Sequence, residues 1–155
     1  LRIVAMLKTK GVKAFIVGKE NNMSYYQKLS KKLNINNQIF FTGPRTDVND
    51  FYTISDIFLF PTHYDPFSNV VLEAMYFDNA VFTTRSNGAS EILDPNFIMN
   101  TPYDKKVATS IDNLLSNIIT LNEVKIRNKK ISKQFPIEKN LKKTLEVINK
   151  IEKSF

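Results

Sequence analysis

The chain has 155 residues, 43% of them apolar and 24% charged, which suits one globular domain and excludes a fibrous or disordered polypeptide. It contains no cysteine and one histidine, which excludes disulfides, a cysteine nucleophile and zinc sites built from thiolates or several imidazoles. Because no segment approaches the roughly 20 apolar residues of a membrane span and the N-terminus lacks a signal-peptide pattern, we expect a soluble, unprocessed cytoplasmic protein.

The net charge of +7 is concentrated in the C-terminal part of the chain. Residues 124–155 carry ten Lys or Arg against three Glu, so the rest of the sequence is neutral overall. The lysines alternate with apolar residues at helical spacing, which favours a solvated helix face. Peripheral contact with the inner face of a membrane stays open as an alternative. We expect no nucleic-acid partner, because Phe135 is the only aromatic residue between Lys125 and Lys153.

Strands and helices alternate through the first hundred residues. Apolar runs of strand length occur at residues 13–17, 38–42, 57–61, 80–84 and 97–100, and helical patterns occur at residues 1–10, 22–34, 46–54 and 68–77. Beyond residue 104 the pattern is helical only. One predicted helix face consists of Val107, Ile111, Leu114, Leu115 and Ile118, and a second consists of Ile137, Leu141, Leu145, Ile148 and Ile151. This order predicts an α/β domain with a Rossmann-like, doubly wound parallel sheet.

The predicted elements also have expected orientations and starting points. The inward-facing residues are Leu1, Val4, Ala5 and Leu7 in the first helix, and Val48, Phe51, Tyr52 and Ile54 in the third. Thr46 and Ser68 are the expected caps of the third and fourth helices. The all-apolar run at residues 57–61 is typical of a strand covered on both faces. We place no domain boundary within residues 1–155 and assign the helices of residues 104–155 to the same domain.

The loops after the strands contain the candidate functional residues. Ligands of a doubly wound sheet bind beyond the carboxyl ends of its strands, and here those ends lead into Gly18 and into residues 43–45, 62–69 and 84–90. A helix starting at Ser68 offers unsatisfied amides that suit a diphosphate, and Asp65 and Glu73 suit sugar hydroxyls. The residues alone leave the simpler interpretations open: Ser68 as an ordinary cap, and the two acids as solvated surface charges.

The segment at residues 65–75 (DPFSNVVLEAM) resembles the hallmark of a known enzyme family. In that hallmark seven residues separate an acid from the glutamate of a Glu-Ala-Met sequence. It belongs to the C-terminal, nucleotide-sugar-binding domain of retaining glycosyltransferases with two Rossmann domains, the GT-B architecture. The resemblance continues at residues 15–18 (FIVG), 40–43 (FFTG), 55–61 (SDIFLFP) and 84–92 (TRSNGASEI), so it covers about residues 12–93.

The resemblance implies roles for the charged residues that match. Glu73 would hold the ribose hydroxyls of the nucleotide. Asp65 would contact the transferred sugar as the catalytic acidic residue, although it is one methylene shorter than the family's glutamate. Arg45 would stack on the nucleobase, with an ordinary surface arginine as the alternative.

The resemblance also implies a phosphate site and a pocket lining. The diphosphate would lie on the amides of Ser68, Asn69 and Val70. The expected pocket lining is Gly18, Gly43, His63, Phe67, Asn87 and Gly88; for His63 we prefer this role to that of a general base. Asn87 stands where the family has a glycine, which weakens the expectation of a close backbone approach in that loop.

The implied activity is a retaining sugar transfer from a nucleoside-diphosphate sugar, with a UDP-sugar as the expected donor. The product would be a cell-surface polysaccharide, such as lipopolysaccharide or capsule, or a lipid-linked glycan, and no metal or other cofactor is expected. The acceptor would bind to an N-terminal domain that these residues do not contain, so we expect the chain alone to be inactive. Two alternatives stay open: a catalytically degenerate nucleotide-sugar-binding module and a GT-B nucleotide-sugar epimerase.

Overall fold

The computed structural model describes residues 1–152, and the predicted alternation of strands and helices is confirmed there. The strands are Ala14–Val17 (β1), Ile39–Gly43 (β2), Ile57–Phe60 (β3), Ala80–Thr84 (β4) and Ile98–Met99 (β5). The helices are Met23–Lys32 (α1), Val48–Ile54 (α2), Asn69–Tyr76 (α3), Lys106–Ser116 (α4), Ile118–Ser132 (α5) and Ile137–Glu152 (α6). Short 3₁₀ turns form at Val4–Met6, Gly88–Ile92 and Pro95–Phe97. Residues 153–155 of the predicted helical region lie outside the described residues.

The strand pairs are all parallel, so the Rossmann-like α/β fold is confirmed. β1 pairs with β2, and β4 pairs with β3 on one side and with β5 on the other. Within residues 1–152, no strand bonds the β1–β2 pair to β3, so the strands form a two-stranded and a three-stranded sheet. Each sheet therefore has outer strands that are paired on one side only.

The first seven residues contact both sheets. A helix at residues 1–10 is a wrong prediction, because only the 3₁₀ turn at Val4–Met6 forms. Ile3 belongs to the apolar cluster around Phe82 of β4, whereas its neighbour Val4 belongs to the cluster around Ile39 of β2. In a regular helix the apolar stripe lies on one side, so two consecutive residues cannot both pack into separate clusters. Of the other residues predicted to face inward, Leu1, Ala5 and Leu7 are partly buried.

Helix α2 provides a second bridge between the sheets. The Phe51 ring lies 5.6 Å from the ring of Phe15 in β1, and the Tyr52 ring lies 5.6 Å from that of Phe58 in β3. The prediction that these α2 residues face inward holds for Tyr52, which is buried. It is wrong for Ile54, because this last residue of the helix is 65% exposed.

Strand β4 forms the centre of the core. All five of its residues are buried, since β3 and β5 flank it and helices α3 and α5 contact it. The β3 strand, expected to be covered on both faces, is only half-buried along its length. No described strand is hydrogen-bonded to its other edge.

The C-terminal helices pack against this core to different extents. Val107, Ile111 and Leu114 of α4 are buried as predicted, but Ile118 is 63% exposed. The reason is a break at Asn117, whose side chain caps α5 by accepting a hydrogen bond from the Thr120 amide, so Ile118 starts a new helix. The predicted apolar face of α6 is exposed throughout. No helix within residues 1–152 is long and apolar enough to cross a membrane.

Candidate functional site

The loops after β3 and β4 are held together by backbone contacts. Asp65 forms a parallel bridge with Asn87. The Asp65 amide donates to the carbonyl of Ser86 over 3.2 Å, and the Gly88 amide donates to the carbonyl of Asp65 over 2.9 Å. The two predicted site loops therefore form one wall at the carboxyl end of the three-stranded sheet.

Gly88 permits a close backbone approach in this wall. A Cβ atom at this position would lie 1.9 Å from the carbonyl oxygen of Pro66, and real Cβ atoms essentially never approach closer than 3.0 Å. The loops pass each other where only glycine fits. The expectation that the Asn87-Gly88 sequence weakens the close approach is therefore wrong, since Gly88 alone provides the space.

Asn87 is fully buried behind the two loops and forms hydrogen bonds to both β4 and the start of α3. Its side-chain nitrogen donates to Thr83 Oγ1 over 3.0 Å. Its side-chain oxygen accepts from the amides of Ala89, at 3.0 Å, and Ser68, at 3.4 Å. Asn87 thus ties β4 to the start of helix α3, a position different from the open pocket lining expected from the sequence.

The start of helix α3 offers two free amides. Ser68 occupies the position before the helix, but its side chain forms no capping hydrogen bond and its amide faces Asn87. In the part of the chain that the structure describes, the amides of Asn69 and Val70 have no acceptor. Unsatisfied amides at a helix start attract anions. Two of the three amides predicted to meet a diphosphate are therefore available.

Glu73 lies on the second turn of α3 and is exposed. Tyr52 donates a hydrogen bond from its hydroxyl to Glu73 Oε2 over 3.2 Å. Burial of the phenol, reinforced by the nearby Glu73 carboxylate, raises the pKa of Tyr52, so the hydroxyl keeps its proton and remains a donor. No described hydrogen bond occupies the other carboxylate oxygen, Oε1, which is left for a ligand.

Asp65 has one carboxylate oxygen engaged in its own loop. Its Oδ1 accepts a hydrogen bond from the Phe67 amide over 3.1 Å, a turn in which a short side chain folds back on the backbone two residues ahead. A glutamate is too long to make this turn as readily. The second oxygen has no described partner, so Asp65 retains one acceptor for a sugar hydroxyl.

Arg45 is paired with a neighbour in the loop after β2. Its guanidinium donates two hydrogen bonds to Asp47 and lies over the Phe51 ring at 5.8 Å. These hydrogen bonds raise the pKa of Arg45 and lower that of Asp47. Thr46 was predicted to cap α2, but Asp47 precedes the helix and makes no side-chain cap, because its carboxylate binds Arg45.

The remaining predicted pocket residues fall into two groups. Gly18 and Gly43 both have positive φ, at 136° and 69°, and the Gly18 amide donates to the Gly43 carbonyl over 2.9 Å. His63 and Phe67 instead contact residues late in the chain: the rings of His63 and Tyr103 are 5.9 Å apart, and those of Phe67 and Phe135 are 6.1 Å apart.

Sequence reasoning assigned Tyr52 to the core and missed its contact with Glu73. The sequence does contain a signal for such a contact. A tyrosine on the buried face of a helix needs a hydrogen-bond partner for its hydroxyl. Two open cavities lie elsewhere in the described part of the chain. One, of about 450 Å³, is lined by Arg2, Lys32 and Tyr103 among others, and the second, of about 380 Å³, lies beside Asn96 and Asn113. Neither of these cavities includes a predicted site residue.

No three His, Asp or Glu side chains within residues 1–152 are grouped to hold a metal ion. The absence of a metal from the reaction stays a prediction. The acids of the site, Asp65 and Glu73, each have a described hydrogen-bond donor from the protein.

Parallel strands and a helix start with free amides are features of Rossmann-like nucleotide-binding domains. The chain belongs to the family described as glycosyl transferases group 1, whose model matches residues 1–132.

Known relatives agree with this assignment. Over 86 residues the chain is 28% identical to the lipopolysaccharide core biosynthesis glycosyltransferase LpsE of Rhizobium meliloti (strain 1021), a match that covers 56% of this chain and 25% of LpsE. The fold of this chain is similar to that of HepE from Anabaena, which was solved in complex with UDP-glucose. The TM-score is 0.84, and the identity is 20% over 96% of this chain.

A third similar structure is the C-terminal domain of the group 1 glycosyl transferase LpcC from Francisella tularensis. It has a TM-score of 0.73 and 22% identity, and the match covers 85% of this chain and 73% of that domain. By contrast, the chain spans only 43% of HepE and a quarter of LpsE. At these identities the structural matches establish the fold.

Proposed function

We propose that this chain is the donor-binding domain of a retaining glycosyltransferase that takes sugar from a nucleoside-diphosphate sugar, with a UDP-sugar as donor. The observation that carries the proposal is the arrangement on helix α3, where two free amides at Asn69 and Val70 precede the exposed carboxylate of Glu73. The similarity in fold to HepE, which was solved in complex with UDP-glucose, supports this choice of donor.

The spacing on α3 suits a nucleoside diphosphate. Glu73 lies four positions after Asn69, which corresponds to a rise of about 6 Å along a helix. In the proposed complex the diphosphate lies on the amides, where negative charge leaving with the nucleotide is stabilised. Glu73 Oε1 then accepts hydrogen bonds from the ribose hydroxyls, and the free oxygen of Asp65 accepts one from the transferred sugar.

The acceptor in this proposal is a growing cell-surface polysaccharide or a lipid-linked glycan. The similarity to LpsE, named for lipopolysaccharide core biosynthesis, supports it. Acceptor binding and part of the charge compensation for the diphosphate come from polypeptide outside these 155 residues. Arg45 is the cation that the resemblance assigns to the nucleotide, and it is already paired with Asp47, so the chain alone is expected to bind donor weakly and to transfer no sugar.

A nucleotide-sugar-binding module without activity is the second candidate. Two observations favour it: Asp65 turns one oxygen into its own loop, and Asn87 engages the Ser68 amide. Both reduce the number of groups that can meet a sugar diphosphate. Sugar transfer by a protein that joins this domain to a GT-B N-terminal half would exclude this candidate.

The proposal is tested by calorimetric titration of the chain with UDP, UDP-glucose, GDP-mannose and ADP. Weak binding that prefers the uridine ligands and is lost in Glu73→Ala is the expected result. Glu123→Ala removes another exposed glutamate, in α5, and serves as the matched control that should bind like the wild type. Failure of every nucleotide to bind at millimolar concentration would contradict the proposal.

A further inference from the structure

We propose that Tyr52 is a positioning residue that orients the Glu73 carboxylate toward the ribose of the nucleotide. This inference rests on the proposed function and extends it to a residue of another helix. Its starting point is the hydrogen bond from the Tyr52 hydroxyl to Glu73 Oε2, 3.2 Å long, between a buried side chain and an exposed one.

The Tyr52 ring has little freedom to move. It is 6% exposed, stands edge-on to Phe58 with ring centroids 5.6 Å apart, and stacks on Phe77 at 5.9 Å. Phe58 belongs to β3, and Phe77 follows α3 directly. The aromatic contacts therefore fix the hydroxyl relative to both the sheet and the helix that carries Glu73.

A buried asparagine fixes the backbones on either side of the hydrogen bond. The side-chain nitrogen of Asn79 lies 2.9 Å from the Tyr52 carbonyl and 3.1 Å from the carbonyl of Ala74, the residue after Glu73. Asn79 is fully buried, and its backbone carbonyl accepts a hydrogen bond from the side-chain nitrogen of Asn128 in α5 over 2.9 Å. Donor and acceptor of the Tyr52–Glu73 contact are thus held by one rigid group.

This arrangement divides the two carboxylate oxygens between the protein and the ligand. Oε2 is held by the tyrosine, and Oε1 is left to accept from ribose hydroxyls. An exposed glutamate otherwise samples several rotamers and loses that freedom when it binds a ligand. Because Tyr52 restrains the side chain beforehand, the carboxylate contributes more to ribose recognition than an unrestrained one.

The test compares binding of UDP and 2′,3′-dideoxy-UDP to the wild type and to Tyr52→Phe. The variant keeps the ring and its contacts and removes only the hydroxyl. We expect UDP affinity to fall about fivefold to tenfold, as for the loss of one typical hydrogen bond. The affinity for the dideoxy ligand should stay unchanged, so the variant discriminates less between the two ligands.

Two further variants isolate the role of the pair. In a Glu73→Ala background, Tyr52→Phe should lower the free energy of unfolding less than it does in the wild type, because the two residues act through one contact. Tyr76→Phe removes the hydroxyl of an exposed tyrosine on α3 and should leave both affinities unchanged. Thermal unfolding of each variant shows whether the fold is retained.

Three outcomes separate this inference from the proposed function. If UDP binds, Glu73→Ala abolishes binding and Tyr52→Phe retains wild-type affinity, the inference is overturned and the proposed function stands. A loss of equal size for UDP and the dideoxy ligand would show a merely structural role and also overturn it. If the wild type binds no nucleotide, the proposed function fails, and the inference fails with it.

Discussion

Replacing Gly88 with alanine tests the close packing of the two loops that form the candidate site. The added Cβ would lie 1.9 Å from the Pro66 carbonyl oxygen, so the loops must separate by about 1 Å to restore a normal contact. That movement pulls on the hydrogen bond from the Gly88 amide to the Asp65 carbonyl. Overpacking costs about 1–3 kcal/mol, and a weakened hydrogen bond adds about 1 kcal/mol.

The substitution also has a stabilising effect, so the sign of the change in the free energy of unfolding shows whether the close contact exists. Gly88 does not have a positive φ, so alanine is compatible with its backbone conformation. Without the close contact, Gly88→Ala would stabilise the protein by about 0.4–1 kcal/mol, because alanine lowers the conformational entropy of the unfolded chain. The net expectation is a free energy of unfolding lowered by about 2 kcal/mol.

Urea unfolding monitored by circular dichroism measures this difference. Gly11→Ala is the control: Gly11 has φ 77° and open space around it, so its cost of about 1–2 kcal/mol comes from the backbone alone. Nucleotide binding, where it occurs, should weaken in Gly88→Ala and persist in Gly11→Ala. A Gly88→Ala variant as stable as the wild type, or more stable, would refute the reasoning about the loops.

Three other predictions follow from the packing and the pKa shifts. Asn128→Ala leaves the buried carbonyl of Asn79 without its donor, so unfolding measurements should show a loss of about 1–3 kcal/mol. Phe82→Ala should cost about 3–5 kcal/mol, because this fully buried ring leaves a cavity; a change under about 1 kcal/mol would contradict the assigned core. Asp94 has a lowered pKa, mainly from the Asn96 amide and then from an arginine of α5, so it stabilises the fold above the ordinary aspartate pKa. The stability difference between wild type and Asp94→Asn should therefore vanish as the pH falls through that lowered pKa, and a difference independent of pH would refute this.

The strands and the site loops were predictable because their signals are local. The run at residues 80–84 is apolar apart from threonines and lies between turn residues, and the structure has β4 at Ala80–Thr84. Helix α3 likewise begins next to Ser68, where a small polar residue precedes an apolar helix pattern. In both cases a few neighbouring residues decide the conformation, so a sequence pattern is sufficient.

The features that could not be predicted depend on contacts between distant segments. The burial of Asn87 follows from hydrogen bonds to Thr83 and Ser68, and no spacing rule indicates those partners. The pairing of Tyr52 with Glu73 joins two residues 21 positions apart in sequence, on helices α2 and α3. Residues 1–7 depart from a helix because two apolar clusters compete for consecutive side chains, an effect that a single-helix pattern does not contain.

The division of the strands into two sheets has a consequence for handling the chain in solution. Strands β1 and β3 each pair with one described neighbour, and Phe15 and Ile16 of β1 are both more than a third exposed. A strand edge with apolar side chains is a template for pairing with a second molecule. We therefore expect concentrated samples to scatter more light as they age, and lysine substitutions at Phe15 or Ile16 to slow that increase.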